Sequence, residues 1–372
     1  MLIMKNKISH ILTVALCGAL ILTLSITLNF KTPTQYSNSE RRALLQLPKI
    51  SLADVLSGKF MKDYESASAD QFPLRDEFKS IKAYNSYYIL NQKDNNKIFY
   101  TDSHLSKLEY PLNQNMIDYA TDRFNFIHNK YLKDINAKIY LSVVPDKNYY
   151  IADDNNYLHF DYEQFEALVA DKMDYARHID IKTLLSKDCY YLTDTHWRQE
   201  KIIPVAEYLC EQMGADFVDN FKVNTVSDAF YGVYYYQSGL KIKPEKLNYL
   251  TNDIINNCTV TNYDSGKPEQ SYMYDLSKLD SQDLYQVFLS GNVAISVIEN
   301  KGATTKNELI MFRDSYGSSI APLMAGSFSK ITLVDTRYIS PDLLSNFVDF
   351  ENADNVLFLY STLLLNNSTA IK

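Results

Sequence analysis

The sequence predicts an α/β protein in which a parallel sheet is flanked by helices. A transmembrane helix precedes this domain, and a β-rich segment is inserted into it. Three observations carry the prediction. From about Pro111 onward, short apolar runs alternate with stretches of helical periodicity, the pattern of a sheet buried on both faces. Near the N-terminus, Ile11 to Leu28 is free of Asp, Glu, Lys and Arg. Between about 215 and 290 the helical period lapses into a stretch rich in Tyr, Asn, Asp and Lys.

The N-terminal run spans roughly 27–35 Å as a helix, the thickness of a bilayer core. Lys5 and Lys7 precede it, which keeps the start cytoplasmic and sends the rest across. A signal anchor over 8–30, with a cytoplasmic tail of 1–7, fits best. A cleaved signal peptide would need a small-x-small site, and none closes the run. A buried core helix is the third reading, and the terminal position and basic flanks speak against it. Cys17 follows the bulky Leu16, which argues against a lipoprotein.

Residues 31–110 read as a stalk and a helical extension. The polar, Pro-containing 31–50 is followed by an amphipathic helical pattern from Ser51 to Asn91, broken at Pro73. Residues 96–110 alternate like short strands. In 111–372, Met116, Tyr119, Ala120, Phe124, Ile127 and Tyr131 mark one helical face. Ala137–Val144 is a buried-type strand ending at Pro145-Asp146-Lys147, and 161–175 is helical again. Tyr190–Leu192 reads as a short strand before Asp194-Thr195-His196-Trp197, and helix resumes over 199–213. Within the insertion, Tyr231–Tyr236 reads as strand and turn. Beyond it follow strand 309–312, a helix from Gly317, strand 331–334, helix 341–350 and strand 356–360.

Composition removes several function classes. The 372 residues carry 37 basic and 45 acidic side chains, a formal charge of −8, whereas a nucleic-acid binder needs a basic face. Only ten glycines occur, no two closer than seven apart. Neither a P-loop nor a dinucleotide-binding fingerprint can be built from them. The four cysteines form no C-x-x-C pair and the histidines no H-E-x-x-H, so zinc-ribbon and zincin motifs are absent. Cys189 and Cys210 could pair in an oxidising compartment, leaving Cys258 odd; buried thiols are the simpler reading. No cofactor is expected.

Ligands of a doubly wound sheet sit at the carboxyl ends of its strands. Lys147, Asp194, His196, Ser315 and Arg337 all fall there. Asp194-x-His196 can place a carboxylate on an imidazole and so fix its tautomer as a general base. By itself the pair could equally be a loop that caps the next helix. Ser315 lies between a strand and a helix, where free N–H groups favour a developing oxyanion, although serine is also a common N-cap. The conjunction suggests a triad in the chain order Asp, His, Ser. Asp194, His196 and Asp314 could alternatively hold a divalent ion.

These residues resemble the DHHW family, which is related to the alginate O-acetyltransferase-like proteins, a circularly permuted branch of the SGNH hydrolases. The resemblance runs from about Ser37 to the C-terminus. It rests on Ser39-Glu40-Arg41-Arg42, Leu47-Pro48, Asp70-Gln71-Phe72-Pro73-x-Arg75, Val144-Pro145-x-Lys147, Thr193-Asp194-x-His196-Trp197, Phe230-x-Gly232, Arg313-Asp314-Ser315-Tyr316 and Asp335-x-Arg337-Tyr338. It implies a permuted SGNH-like fold, with Ser315 as nucleophile, His196 as base and Asp194 as its orienting carboxylate. Lys147, Arg337 and Tyr316 become candidate substrate or oxyanion contacts, and no metal is implied. The implied activity is O-acyl, chiefly acetyl, transfer or esterase action on a surface polysaccharide outside the cell membrane. The implied partner is a membrane-bound O-acyltransferase that supplies the donor. A non-catalytic polysaccharide- or partner-binding subunit is the alternative. The chain departs from the pattern at Thr195, which replaces a histidine. It departs again at Arg313, which stands where ordinary SGNH enzymes carry glycine. Asn148 is the one candidate for their oxyanion asparagine, and Trp197 reads as a packing residue.

Overall fold

A computed structural model describes residues 2–372 except 38, 39, 41, 265 and 282, so Ser39 and Arg41 of the quoted motifs lie outside the described residues. The chain forms two compact units, one of residues up to Gln92 with Tyr236–Lys241, the other of Lys93–Tyr235 with Ile242–Lys372.

The first unit begins with α1, Leu2–Phe30. Its His10–Phe30 portion is long and apolar enough to cross a membrane. A two-residue pairing of β1 (Tyr36–Ser37) with β2 (Arg42–Ala43) follows. Then come α2 (Leu52–Leu56), α3 (Lys59–Asp70) and α4 (Arg75–Tyr84), with a π-helical turn at Asn85–Ile89. The amphipathic stretch is therefore interrupted twice, by left-handed Gly58 and around buried Pro73. Asp70 anchors this unit. Its carboxylate accepts two hydrogen bonds from the Arg42 guanidinium, at 2.6 and 2.8 Å, and one from Leu45 N–H. The Arg42 contact holds its pKa down to about 2.

The second unit opens with the hairpin β3 (Ile98–Thr101) and β4 (His104–Lys107). Along the chain follow α5 (Gln114–Ile127), β5 (Lys138–Val144), α6 (Asn148–Ile151), α7 (Tyr162–Lys172), β6 (Arg177–His178) and α8 (Ile203–Gln212). The segment read as an insertion is indeed β-rich. It supplies β7 (Lys222–Phe230), α9 (Val233–Ser238), β8 (Glu245–Thr251), α10 (Asp253–Asn257), β9 (Thr259–Asn262) and β10 (Glu269–Ser271). The chain closes with β11 (Ile295–Glu299), β12 (Glu308–Arg313), α11 (Ser315–Met324), β13 (Lys330–Val334), β14 (Asn355–Ser361) and α12 (Thr362–Leu365).

The main sheet has eight strands in the order β10-β9-β11-β13-β12-β14-β5-β6. From β13 to β6 every pairing is parallel, and from β10 to β13 every pairing is antiparallel. The parallel part is what the alternating pattern predicts. The antiparallel edge is new, and two strands of the insertion build it together with β11. β7 and β8 instead form their own ribbon, with two register irregularities.

Alternation along the strands builds two cores. Leu309 and Met311 of β12, with Leu357 and Leu359 of β14, face α8 and α11. Ile310 and Phe312, with Val356 and Phe358, face α5 and α7. Helices thus cover both faces, as a sheet of continuous apolar runs requires. Three local readings change. Tyr190–Leu192 forms only an isolated bridge, Tyr190 to Trp197. Tyr231–Tyr236 is not a strand, because α9 starts at Val233; its aromatic run has strand propensity, but packing context outweighs propensity. The helix expected over 341–350 is a 3₁₀ segment, Pro341–Asn346.

Candidate functional site

Ser315 is placed by the turn from β12 into α11. Asp314 caps the helix, its carboxylate accepting Tyr316 N–H at 3.0 Å. The other carboxylate oxygen accepts Ser361 N–H at 2.9 Å and Ser361 Oγ–H at 2.6 Å. Asp314 therefore ties the end of β14 to the start of α11. It leaves Ser315 as the first helical residue and the only half-buried side chain between Ile310 and Ser319. The turn is tight. A Cβ on Gly317 would lie 2.6 Å from Cβ of Arg313, so glycine at 317 makes room for the arginine at 313.

The Asp194–His196 loop leaves the Tyr190–Trp197 bridge and returns to it. Asp194 is 1% exposed and its Oδ1 accepts two hydrogen bonds, His196 N–H at 3.0 Å and the ring Nδ1 at 2.6 Å. Its Oδ2 accepts Val233 N–H at 2.8 Å, so the start of α9 is fixed on this carboxylate. Donation from Nδ1–H leaves Nε2 with its lone pair, 2.7 Å from Ser315 Oγ. Serine, imidazole and carboxylate thus form one continuous hydrogen-bonded line.

The surroundings hold the ring in place. Tyr285 stacks on His196 at 3.8 Å between centroids and 9° between planes. Its hydroxyl donates to Ser319 Oγ at 2.7 Å. Trp197 is fully buried and its indole N–H reaches the same Ser319 Oγ at 2.8 Å. Trp197 is a packing residue, as expected. Behind the loop stands Glu245 of β8. It accepts Leu192 N–H at 2.9 Å, Thr193 N–H and hydroxyl at 2.8 Å each, and Arg198 Nη2 at 2.6 Å. Gly232, just before α9, presses on the loop and donates its N–H to Thr193 Oγ1 at 3.0 Å. A Cβ there would sit 2.2 Å from Cβ of Asp194.

The remaining residues lie nearby but are engaged elsewhere. Lys147 is 1% exposed, and its ammonium donates to the carbonyls of Leu105 at 2.5 Å and Tyr191 at 2.9 Å. Burial pushes its pKa down to about 7, against the opposing pull of Glu245, Asp194 and Asp146. Its ammonium is thus engaged by the protein's own carbonyls. Tyr316 is engaged likewise. Its hydroxyl donates to Thr195 O at 2.7 Å and its N–H to Asp314. Asn148 is buried, its amide held by Lys107 O and by Ser106 Oγ–H, so it cannot serve as the oxyanion asparagine. Arg337 keeps partial exposure in a two-toothed pair with Asp335, at 2.8 and 2.7 Å. Asp335 also accepts buried Arg313 Nη1 at 3.1 Å.

Asp314 turns its carboxylate to Ser361 and away from the imidazole, so it does not join Asp194 and His196 in a ligand set. Among the described residues no group of three His, Cys, Asp or Glu side chains is arranged to hold a metal ion. All four cysteines are free thiols. Sequence reasoning missed Tyr285, Glu245 and Gly232 as parts of this site. Only Gly232 left a signal, as one of ten glycines placed inside a recognised motif.

No protein-family model matches the chain, and no curated protein matches it in sequence. Solved structures do match. One is a DHHW family protein from Eubacterium siraeum, with TM-score 0.60 and 21% identity over 74% of this chain and 94% of that one. Another is Bacillus cereus PatB1 with a sulfonyl adduct, with TM-score 0.57 and 20% identity over 72% of this chain and 97% of that one. The O-acetyltransferase domain of Pseudomonas putida AlgJ superposes more loosely, at TM-score 0.44 and 13% identity over 72% and 92%. The class is thus an α/β protein with a hydrogen-bonded Ser-His-Asp line at the strand ends. Within that class, the chain has the fold of the DHHW family protein and of PatB1.

Proposed function

We propose that this protein is a membrane-anchored, extracytoplasmic O-acyltransferase or esterase that carries acetyl groups on Ser315. The observation that carries the reading is the hydrogen-bonded line of Ser315 Oγ, His196 and Asp194, at 2.7 and 2.6 Å. Ser315 Oγ attacks the acyl carbonyl while its proton passes to His196 Nε2. The donor's leaving oxygen takes that proton as its bond to the acyl carbon breaks, leaving an acyl-serine. An acceptor hydroxyl then gives its proton to Nε2 and attacks the ester. Ser315 Oγ departs and recovers the proton. Asp194 keeps the imidazole in the required tautomer and stabilises the imidazolium. The N–H of Ser315, at the first position of α11, has no intrahelical acceptor and points the helix dipole at the developing oxyanion. The sulfonyl adduct described for PatB1, which shares the fold, is in keeping with a reactive nucleophile.

The acceptor in this reading is a surface polysaccharide, and the donor comes from a membrane-bound O-acyltransferase. Both follow from the family resemblance. The anchor is α1, with residues 1–7 in the cytoplasm and the bulk of the chain outside. The test uses the full chain in lipid nanodiscs with 4-nitrophenyl acetate and with an arylsulfonyl fluoride. Wild type should turn over the ester and be labelled at Ser315, and Ser315→Ala should lose both. Equal turnover by Ser315→Ala would overturn the reading.

A second reading is a non-catalytic subunit that binds polysaccharide or a partner protein. It is favoured by the commitment of Tyr316 N–H, Gly232 N–H and the Asn148 amide to internal acceptors. Saccharide binding with neither turnover nor sulfonyl labelling would establish it in place of the first.

A further inference from the structure

The helical region after α1 carries an apolar surface that the fold does not cover. On α4 and the π turn, Leu74, Phe78, Ile81, Tyr84 and Tyr88 are 63, 43, 56, 42 and 62% exposed. At 3.6 residues per turn they fall within an arc of about 120°. Ala83, fully buried, lies on the opposite side of the same helix. Arg75 and Lys79, both paired with Glu40, flank that inner side. The exposed stripe is therefore the outer face of a well-packed helix. A contiguous exposed apolar face of this kind marks an interaction site.

Two observations select the occupant. The first is continuity with α1. Asn29, in the last turn of α1, exchanges hydrogen bonds with Tyr64 of α3 at 3.1 and 3.2 Å. Just beyond, Thr34 N–H donates to Gln71 Oε1 at 2.9 Å, and Gln71 Nε2 donates back to Thr34 O at 2.8 Å. The helical region is thereby fastened to the foot of the apolar helix. The second is charge. Residues 31–92 hold nine basic and seven acidic side chains, whereas 93–372 hold 26 basic and 38 acidic. Of these two segments the one next to α1 is cationic and the other acidic, and a cationic segment suits anionic lipid headgroups.

We propose that the outer face of α4 and its π turn lies in the headgroup layer of an anionic bilayer, beside the end of α1. An amphipathic helix in that position buries its apolar face about 5–10 Å into the boundary with the acyl chains. The proposal rests on α1 spanning the membrane. It would make the helical region a second, interfacial attachment that limits tilting of the unit on its anchor.

The test reconstitutes the full chain in phosphatidylglycerol nanodiscs with a phospholipid carrying a diazirine near its headgroup, and maps adducts by mass spectrometry after illumination. Adducts are expected in the peptide 74–90 as well as in α1. The variant Phe78→Ser/Ile81→Ser/Tyr88→Ser should lower adducts in 74–90 at least fivefold, leaving those in α1 and the melting temperature unchanged. Adducts confined to α1, or a variant labelled like wild type, would overturn the proposal and leave the anchor standing. Absence of adducts from α1 would overturn the anchor and the proposal together. A face protected from solvent exchange but unlabelled by lipid would mean that a second protein covers it, which also overturns the proposal.

Discussion

Gly232→Ala is the most demanding single-atom perturbation of this site. The added Cβ would stand 2.2 Å from Asp194 Cβ, 2.4 Å from its Cα and 2.5 Å from its N. Carbon atoms in contact sit about 3.5–4 Å apart, so the two segments must separate by about 1.3 Å. The glycine has no left-handed φ, so alanine costs nothing in backbone conformation and the effect comes from overlap alone. The displaced atoms belong to Asp194 and to the segment whose Val233 N–H it accepts, so the carboxylate cannot hold both Val233 and His196 in place. Overpacking of this kind costs about 1–3 kcal/mol of stability. A misplacement near 1 Å costs about 100-fold in rate. The assay is kcat/KM for 4-nitrophenyl acetate together with the melting temperature. Gly302→Ala serves as control, since its nearest atom is 3.7 Å away. Activity and melting temperature within threefold and about 1 °C of wild type would refute the reasoning.

Two further substitutions test the scaffold behind the loop. Glu245→Ala leaves the N–H groups of Leu192 and Thr193 and Arg198 Nη2 without their acceptor; it should cost about 3–5 kcal/mol in urea unfolding. Glu245→Gln, which keeps one acceptor oxygen, should fall between alanine and wild type. Lys147 has its pKa lowered from 10.5 to about 7 by burial. Above pH 7 the unfolded chain therefore binds more protons at this site than the native one, and stability rises with pH. Between pH 7 and 9 the gain is about 2–3 kcal/mol. That window lies above the titration of Asp146, raised to about 6, and below that of the buried tyrosines. Lys147→Met should flatten the slope, and an unchanged slope in chemical denaturation would contradict the assignment.

The parts of this architecture legible in the sequence are those set by local pattern. β5, β12, β13 and β14 are continuous apolar runs because both faces of the sheet are covered. Ser315 was readable because a strand hands over to a helix at that point, and Asp194-x-His196 because two residues of loop suffice to bring carboxylate and ring together. The rest was hidden for lack of a local signal. Glu245 meets Thr193 across 52 positions, and nothing about a glutamate beginning a strand announces it. Tyr285 stacks on the imidazole, yet it is one of 30 tyrosines. The antiparallel edge was hidden because β9 and β10 are short and lie in a segment whose polar composition resembles loop.

The distribution of polar groups around Ser315 bears on which chemistry the site can perform. Asp146, Asp314 and Asp335 follow β5, β12 and β13, and each is satisfied within the protein. Asp146 is held by Thr362 and Tyr162, Asp314 by Ser361, and Asp335 by Arg313 and Arg337. Lys147, Tyr316, Asn148 and Gly232 likewise direct their donors inward. The network is thus built to hold the triad rigid, with few donors left for an oxyanion. Arg313 is the exception. Two of its buried nitrogens, Nε and Nη2, have no partner among the described residues. An unmet buried donor costs about 1–3 kcal/mol, and this one lies two residues before Ser315. In the proposed reading the Ser315–His196–Asp194 line activates the nucleophile and moves the proton, and the oxyanion contacts fall to Ser315 N–H and the α11 dipole. In that reading, the charge that develops on the carbonyl oxygen of the acyl group falls to these two groups.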